Sequence, residues 1–168
     1  MKNQTLIIAV VIVVAVVGLA IASKKIEPTQ PVGGQPTNTN NPSKLTAVKS
    51  MYDFGTISMA KGKTDYVFKV TNSTDQDINI KTIETSCMCT NAYLQSSSGE
   101  KGPFGMAGHG YSPSVNEIIK TGETRNVRVV YDPAAHGPAG VGSIDRFISL
   151  IDTTGGTLQL EIKALVTP

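Results

Sequence analysis

The hydrophobic and polar positions of the chain form two patterns, one continuous and one alternating. The continuous pattern is a run of 17 apolar residues, from Leu6 to Ala22, that is rich in valine and isoleucine. The alternating pattern lies beyond residue 44, where apolar residues recur at every second position and turn residues separate the runs. Alternation with period two is typical of strands that bury one face. The sequence therefore predicts a membrane anchor followed by a β-rich domain.

The last segment of the chain is the clearest predicted strand. Its apolar residues share one face and its polar residues the other: Leu158, Leu160, Ile162, Ala164 and Val166 against Gln159, Glu161 and Lys163. Weaker alternation occurs at Tyr66, Phe68 and Val70, at Ile78 and Ile80, and at Val127, Val129 and Tyr131. Turn-forming residues follow at 72–75, 121–122 and 153–156. About seven short strands without amphipathic helices predict an all-β fold, an immunoglobulin-like antiparallel β-sandwich.

The apolar run 6–22 has the length of a membrane anchor. As a helix it spans roughly 25 Å, near the lower limit for the hydrocarbon core of a bilayer. It is also longer than the apolar part of a usual cleaved signal peptide. We therefore expect a single-pass anchor after a short tail, residues 1–5. Cleavage near Ala22 is the alternative, and it would release a secreted protein.

Residues 23–44 are predicted to be a linker between the anchor and a domain at 45–168. Within it, residues 27–43 contain four prolines, three asparagines and three threonines, a composition typical of a polar tether. Lysines flank the apolar run on both sides, so charge alone does not fix its orientation. The tether favours a domain on the extracytoplasmic side of the membrane.

The charge of the domain argues against nucleic acid as a partner. The net charge is +2, but from residue 44 onward nine lysines and three arginines balance seven aspartates and five glutamates. A nucleic-acid-binding face needs clustered cations that displace counterions from phosphates. The expected partners are therefore the membrane, through the N-terminal helix, and a protein that the sequence does not identify.

Short motifs follow one another along the domain: Tyr52 to Ile57, Phe68 to Asn72, Ser86 to Thr90, Gly122 with Glu123, and Tyr131 with Asp132. Their order resembles a bacterial family, domain of unknown function 1573. The resemblance covers most of residues 52–166. It implies an immunoglobulin-like fold, akin to the Hydin-type and major-sperm-protein modules, and an extracytoplasmic setting. It implies no reaction, and both Met88 and the long segment 94–115 depart from the family pattern.

Cys87 and Cys89 are the sharpest chemical feature of the sequence. On an extended strand their Cα atoms would lie about 6.6 Å apart, the outer limit for a disulfide, so a disulfide would need a turn here. Three interpretations are open: small buried apolar residues, metal ligands, or a redox pair. The redox interpretation needs a neighbouring cation, and the only charged residue nearby in the sequence is Glu84.

Soft donor atoms elsewhere in the sequence suggest a metal site. Met106 and His109 lie in a glycine-rich segment that can fold back over the cysteines, and His136 lies in a second loop. Thiolates and thioethers with imidazole select Cu(I), whereas two cysteines with two histidines suit tetrahedral zinc. The candidate ligands are Cys87, Cys89, His109, Met106 and His136. Each histidine can equally be a loop residue without a ligand, and the spacing leaves both interpretations open.

The common catalytic motifs are missing from the sequence. It contains no nucleophile elbow, phosphate loop, dinucleotide fingerprint or zinc-protease helix. We therefore expect a non-enzymatic, membrane-anchored module without a cofactor that acts in protein interaction or assembly at the bacterial cell envelope. The alternative is a protein that binds or delivers Cu(I) or zinc through the Cys87 and Cys89 pair with His109.

Overall fold

The computed structural model describes residues 41–109 and 114–168. The predicted tail, the anchor at 6–22 and the linker up to residue 40 lie outside the described residues. Within the two described ranges, no helix is both long enough and apolar enough to cross a membrane.

The described residues form ten strands and two short 3-10 helices. The strands are β1 (Leu45–Ala47), β2 (Met51–Ser58), β3 (Thr64–Asn72), β4 (Ile78–Thr85), β5 (Thr90–Ser96), β6 (Gly99–Phe104), β7 (Glu117–Ile119), β8 (Thr124–Tyr131), β9 (Gly142–Asp152) and β10 (Thr157–Thr167), and the helices are Met59–Lys61 and Gly137–Gly140. The all-β prediction is confirmed, but about seven strands is too low a number. The short strands β1 and β7 and the largely exposed strand β6 are too short or too polar to show a clear alternation.

The strands form a sandwich of two five-stranded sheets. The first sheet has the order β1-β3-β8-β5-β6 and the second the order β2-β10-β9-β4-β7. Neighbours are antiparallel, as expected, except that β2 pairs in parallel with β10. The prediction of a purely antiparallel sandwich is therefore wrong at this edge, because the alternation of side chains carries no information about strand direction.

The core lies between the sheets and consists of the alternating apolar rows. In β10 the residues Leu160, Ile162, Ala164 and Val166 are buried, as the sequence predicts. The first sheet contributes to the same core Phe68 and Val70 of β3 and Val127, Val129 and Tyr131 of β8. Burial of one such side chain contributes about 1.5 to 3 kcal/mol, so these rows stabilise the fold.

Two connections pass from one sheet to the other close together. Residues 86–89, which we call the cysteine turn, join β4 to β5, and residues 132–141 join β8 to β9. At the cysteine turn, the last residue of β4 pairs with Ile148 of β9, and the first residue of β5 pairs with Tyr131 of β8. The cysteine turn therefore joins a strand paired with β9 to a strand paired with β8, and the second connection joins β8 and β9 themselves.

The long segment 94–115, whose conformation the sequence leaves open, begins as a hairpin. Strands β5 and β6 pair from Ser96 opposite Gly99 up to the end of β6. The chain then returns towards the cysteine turn, where Met106 forms a parallel bridge with Thr85. Alternation is weak in this segment because most residues of the edge strand β6 are exposed.

The hairpin turn between β9 and β10, residues 152–156, is organised by a single carboxylate. We call it the Asp152 turn. Asp152 accepts hydrogen bonds from the Thr154 backbone N–H at 2.9 Å, the Thr154 hydroxyl at 2.6 Å, the Gly156 N–H at 2.9 Å and the Ser43 hydroxyl at 2.8 Å. The end of the predicted linker also joins the sheet here, because the Thr157 N–H donates to the Asn41 carbonyl at 2.9 Å.

Candidate functional site

The cysteine turn is a tight turn and not a continuation of strand β4. The Thr90 N–H donates to the Cys87 carbonyl at 3.1 Å, and the Cα atoms of Cys87 and Cys89 lie 5.2 Å apart. This separation is shorter than the roughly 6.6 Å of an extended chain. The two cysteines are joined by a disulfide, so the turn that such a bond requires is present.

Hydrogen bonds to both sheets hold the cysteine turn in place. On the side of the second sheet, the Ser86 N–H donates to the Phe147 carbonyl and the Phe147 N–H donates to the Ser86 hydroxyl, both at 2.9 Å. On the side of the first sheet, the Asp132 N–H donates to the Cys89 carbonyl at 2.9 Å. The turn is therefore anchored at both ends, which fixes the direction of the sulfurs.

His136 lies beside the disulfide. Its Nε2 atom is 3.1 Å from the Cys87 Sγ, and the ligand atoms of Cys87, Cys89 and His136 all lie within 4.8 Å of one another. Two glycines shape the loop that carries it. Gly137 has a φ of +55°, a left-handed conformation that favours glycine, and a Cβ atom on Gly140 would lie 3.4 Å from the His136 Cβ.

The other two predicted ligands lie on the segment that follows β6. Met106 is half-buried and its backbone bridges Thr85, next to the cysteine turn. His109 is exposed, and its N–H donates to the Met106 carbonyl at 3.1 Å in a tight turn. Among the described residues, the structure brings His136 into the cluster of ligand atoms with the cysteines and does not bring His109 into it.

Arg146 is a residue of the candidate site that the sequence pattern did not reveal. Its Nε donates to the Cys89 Sγ at 3.4 Å, and its Nη1 donates to the Asp145 carbonyl at 2.9 Å. None of the ion pairs in the described part of the chain involves Arg146. The sequence nearby therefore lacks a cation for the cysteines, but the fold supplies one from β9.

The alternation of β9 contains the signal for this arginine. Ile144, Ile148 and Leu150 are buried on the face that points into the sandwich, and position 146 belongs to the same face. An arginine in a core-facing row needs a partner for its charge. Burial raises the pKa of the nearby Tyr131 phenol, while the positive charge of Arg146 acts to lower it, so the guanidinium also acts on the interior of the domain.

The cluster can support two kinds of chemistry. When the disulfide is intact, its sulfurs are weak hydrogen-bond acceptors and poor metal ligands, because metals bind the thiolate. When it is reduced, two thiolates and an imidazole would lie within bonding reach of one metal ion. A cation next to one sulfur also favours the thiolate form during thiol–disulfide exchange.

The first half of the domain matches a known family. Residues 45–107 match the model of the family described as protein of unknown function (DUF1573). The resemblance predicted from the motifs is thereby confirmed over this segment, which includes the cysteine turn. No curated protein matches the chain.

The fold is similar to those of several solved structures. A protein of unknown function from Porphyromonas gingivalis W83 has a TM-score of 0.54 and 16% identity over 76% of this chain and 48% of its own. The Vibrio cholerae VesB protease has a TM-score of 0.47 and 16% identity over 73% of this chain and 32% of its own. The ASH/PapD-like domain 7 of human CEP192 has a TM-score of 0.42 and 12% identity over 83% of this chain and 98% of its own. This chain therefore spans about half of the first protein and about a third of the second, and the first likeness supports the sandwich fold alone.

Proposed function

We propose that this chain is a membrane-anchored, extracytoplasmic module that acts by binding and not by catalysis, and that its cysteine turn binds a soft metal ion when the cysteines are reduced. One observation carries the proposal: the ligand atoms of Cys87, Cys89 and His136 lie within 4.8 Å of one another. The cysteines are buried and the imidazole is exposed, so an ion can enter from the side of the histidine.

The geometry of the turn suits two metal–thiolate bonds. Two bonds of about 2.3 Å at a tetrahedral angle place the sulfurs about 3.8 Å apart. Two side chains whose Cα atoms are 5.2 Å apart can reach this separation after reduction. Thiolates with imidazole select Cu(I) or zinc, and a closed zinc site takes four ligands. Since the cluster has three, Cu(I) is the preferred ion, and Met106, whose backbone bridges Thr85 next to the turn, is the predicted thioether ligand.

The anchor and the location rest on the sequence. The apolar run 6–22 is long enough to cross a membrane, and the polar tether that follows it is typical of a domain held off a membrane surface. The disulfide supports an extracytoplasmic location, because disulfides persist in oxidising compartments. The mass of the mature protein purified from membranes decides between an intact anchor and cleavage near Ala22.

The test is native mass spectrometry of the full chain in detergent micelles, reduced without oxygen and offered Cu(I) and then Zn(II). We expect one bound ion, lost in Cys87→Ser and in His136→Ala. His109→Ala is the matched control, because it removes an exposed loop histidine outside the cluster. Binding that is unaffected by His136→Ala and lost in His109→Ala would move the site to the other loop. The absence of any bound ion, with both thiols titratable, would refute metal binding.

A protein-interaction or assembly function is the second candidate, and exposed apolar side chains favour it. Ile118 on the edge strand β7 is 50% exposed and Met88 in the cysteine turn is 57% exposed. Edge strands are common attachment points for another chain. A photo-crosslinking residue at position 118 should give one discrete adduct in cells, whereas the same residue at the exposed position 69 on the interior strand β3 should give none. Equal labelling at both positions would contradict this candidate.

A further inference from the structure

The two sulfurs of the disulfide have different surroundings. Cys87 is 9% exposed and lies against the exposed imidazole of His136, whereas Cys89 is 1% exposed and lies against Arg146 and Thr90. A thiol arriving from solvent therefore reaches the sulfur of Cys87 first. In thiol–disulfide exchange the other sulfur of the bond leaves as a thiolate, and the exchange is faster when that thiolate is stabilised.

The groups around Cys89 suit the departing thiolate. Arg146 places Nε 3.4 Å from the Cys89 Sγ, and the Thr90 hydroxyl lies 3.6 Å from the same sulfur. Arg146 is half-buried and forms no ion pair with any described carboxylate. A cation that is partly removed from water without a counter-charge is costly, and negative charge on the Cys89 sulfur would provide that counter-charge.

We propose that the Cys87–Cys89 disulfide is a redox-active bond, which a dithiol reductant opens by attack on Cys87 while Arg146 stabilises the departing thiolate of Cys89. The thiolate of the reductant forms a bond with the Cys87 Sγ, the bond between the two cysteine sulfurs breaks, and its electron pair leaves on the Cys89 Sγ. The second thiol of the reductant then attacks the reductant's first sulfur in the mixed disulfide, and the bond from that sulfur to the Cys87 Sγ breaks. The reductant is oxidised to a disulfide, and its two electrons and two protons end on Cys87 and Cys89.

This exchange goes beyond the proposed function because it needs no metal ion. It also precedes metal binding, since only the reduced pair offers two thiolates. Its failure and the failure of metal binding are therefore separate results, and the exchange is measured with a metal chelator present throughout.

The first experiment identifies the attacked sulfur. The full chain in detergent micelles is treated with reduced glutathione as the probe thiol and quenched with N-ethylmaleimide. Met88 lies between the two cysteines, so cleavage with cyanogen bromide after Met88 separates them for mass spectrometry. We expect glutathione on Cys87 and maleimide on Cys89. Glutathione on Cys89, or an equal distribution over both, would overturn the proposed direction of attack.

The second experiment tests the role of Arg146 at the departing sulfur by the rate of reduction with dithiothreitol. We expect Arg146→Met to slow the reduction about tenfold and Arg146→Lys to restore most of the rate, since a cation returns. The matched control is Arg128→Met, because Arg128 pairs with Glu100 and is not among the groups that contact either sulfur in the described structure. A rate for Arg146→Met equal to or above that of the wild type would overturn the proposal, and so would a failure of Arg146→Lys to differ from Arg146→Met.

Discussion

Two turns that contact strand β9 differ in the partners that their polar side chains have within the protein. In the Asp152 turn, a single carboxylate accepts four hydrogen bonds from groups of the turn and from Ser43. At the cysteine turn, Arg146 of β9 and His136 of the 132–141 connection face the sulfur atoms, and neither forms an ion pair with a described residue. The carboxylate of the Asp152 turn is therefore paired with hydrogen-bond donors of the protein. The guanidinium and the imidazole beside the cysteine turn are instead free to interact with a ligand or a thiolate.

The difference suggests how stability and function are divided in this domain. Hydrogen bonds to a charged group contribute more to stability than neutral ones, so the Asp152 turn should matter mostly for folding. The backbone of the cysteine turn is hydrogen-bonded to both sheets, but the side chains that face its sulfurs, Arg146 and His136, have no ion-pair partner among the described residues. We therefore expect substitutions at and around this turn to change reactivity much more than stability.

The largest expected effect on stability is that of Asp152→Ala. It leaves the Thr154 and Gly156 N–H groups without their acceptor, and we expect a loss of about 2 to 3 kcal/mol in the free energy of unfolding. Urea denaturation followed by circular dichroism measures it. The control is Asp75→Ala in an exposed turn, which should stay within about 0.5 kcal/mol of the wild type. Equal effects of the two substitutions would remove the distinction between the turns.

A smaller loss is expected when the disulfide is removed in Cys87→Ala/Cys89→Ala. A cross-link stabilises mainly by restricting the unfolded chain, and for a loop of three residues this amounts to about 1.6 kcal/mol at 25 °C. The same denaturation experiment applies, with the oxidised wild type as the reference. A loss larger than that of Asp152→Ala would mean that the cysteine turn is chiefly structural.

The pH dependence of stability should single out Asp152. Burial acts to raise its pKa, but the hydrogen bonds from Thr154, Ser43 and Gly156 outweigh burial and hold the pKa below its ordinary value. A carboxyl with a lowered folded pKa stabilises the fold above its unfolded pKa of about 3.9. This contribution is lost as the pH falls through the lower, folded value. The difference in unfolding free energy between the wild type and Asp152→Asn should therefore be constant near neutral pH and shrink below about pH 4. A difference that does not change down to the acid transition would contradict the prediction.

The smallest effect is expected for His136→Ala. The imidazole is exposed and forms a hydrogen bond with the Cys87 Sγ, so the free energy of unfolding should change by less than about 0.5 kcal/mol. Metal binding by the reduced protein should be lost in the same variant. Thermal unfolding of the oxidised protein measures the first quantity, and a marked drop in the melting temperature would assign His136 a structural role.

The long strands could be predicted from the sequence because each has one buried face. The rows in β3, β8 and β10 alternate over several residues, and the structure buries the predicted positions except Tyr66 and Leu158, which are partly buried against the core. The edge strands β1, β6 and β7 could not be predicted, since a short or exposed strand has few buried positions to reveal it. The parallel pairing of β2 with β10 could not be predicted from the local sequence pattern either, because it depends on a contact between the two ends of the domain.

The candidate site was predictable only in part. Cys87 and Cys89 stand out in the sequence, but their disulfide depends on a turn fixed by Phe147 and Asp132, which are distant along the chain. The choice between His109 and His136 depends on which loop returns to the turn, and no local pattern decides it. The prediction that His109 is a ligand stays a prediction.

The order in which the strands run has a consequence for access to the sulfurs. The described chain enters the sandwich at Asn41, beside the Asp152 turn and the start of β4. The cysteine turn follows the other end of β4, and the two points on β9 that mark these ends, Ile148 and Asp152, lie about 13 Å apart along the strand. The sulfurs and the described segment at Asn41 therefore lie towards opposite ends of β4, so a molecule that reaches the sulfurs approaches the domain at a different place from that segment.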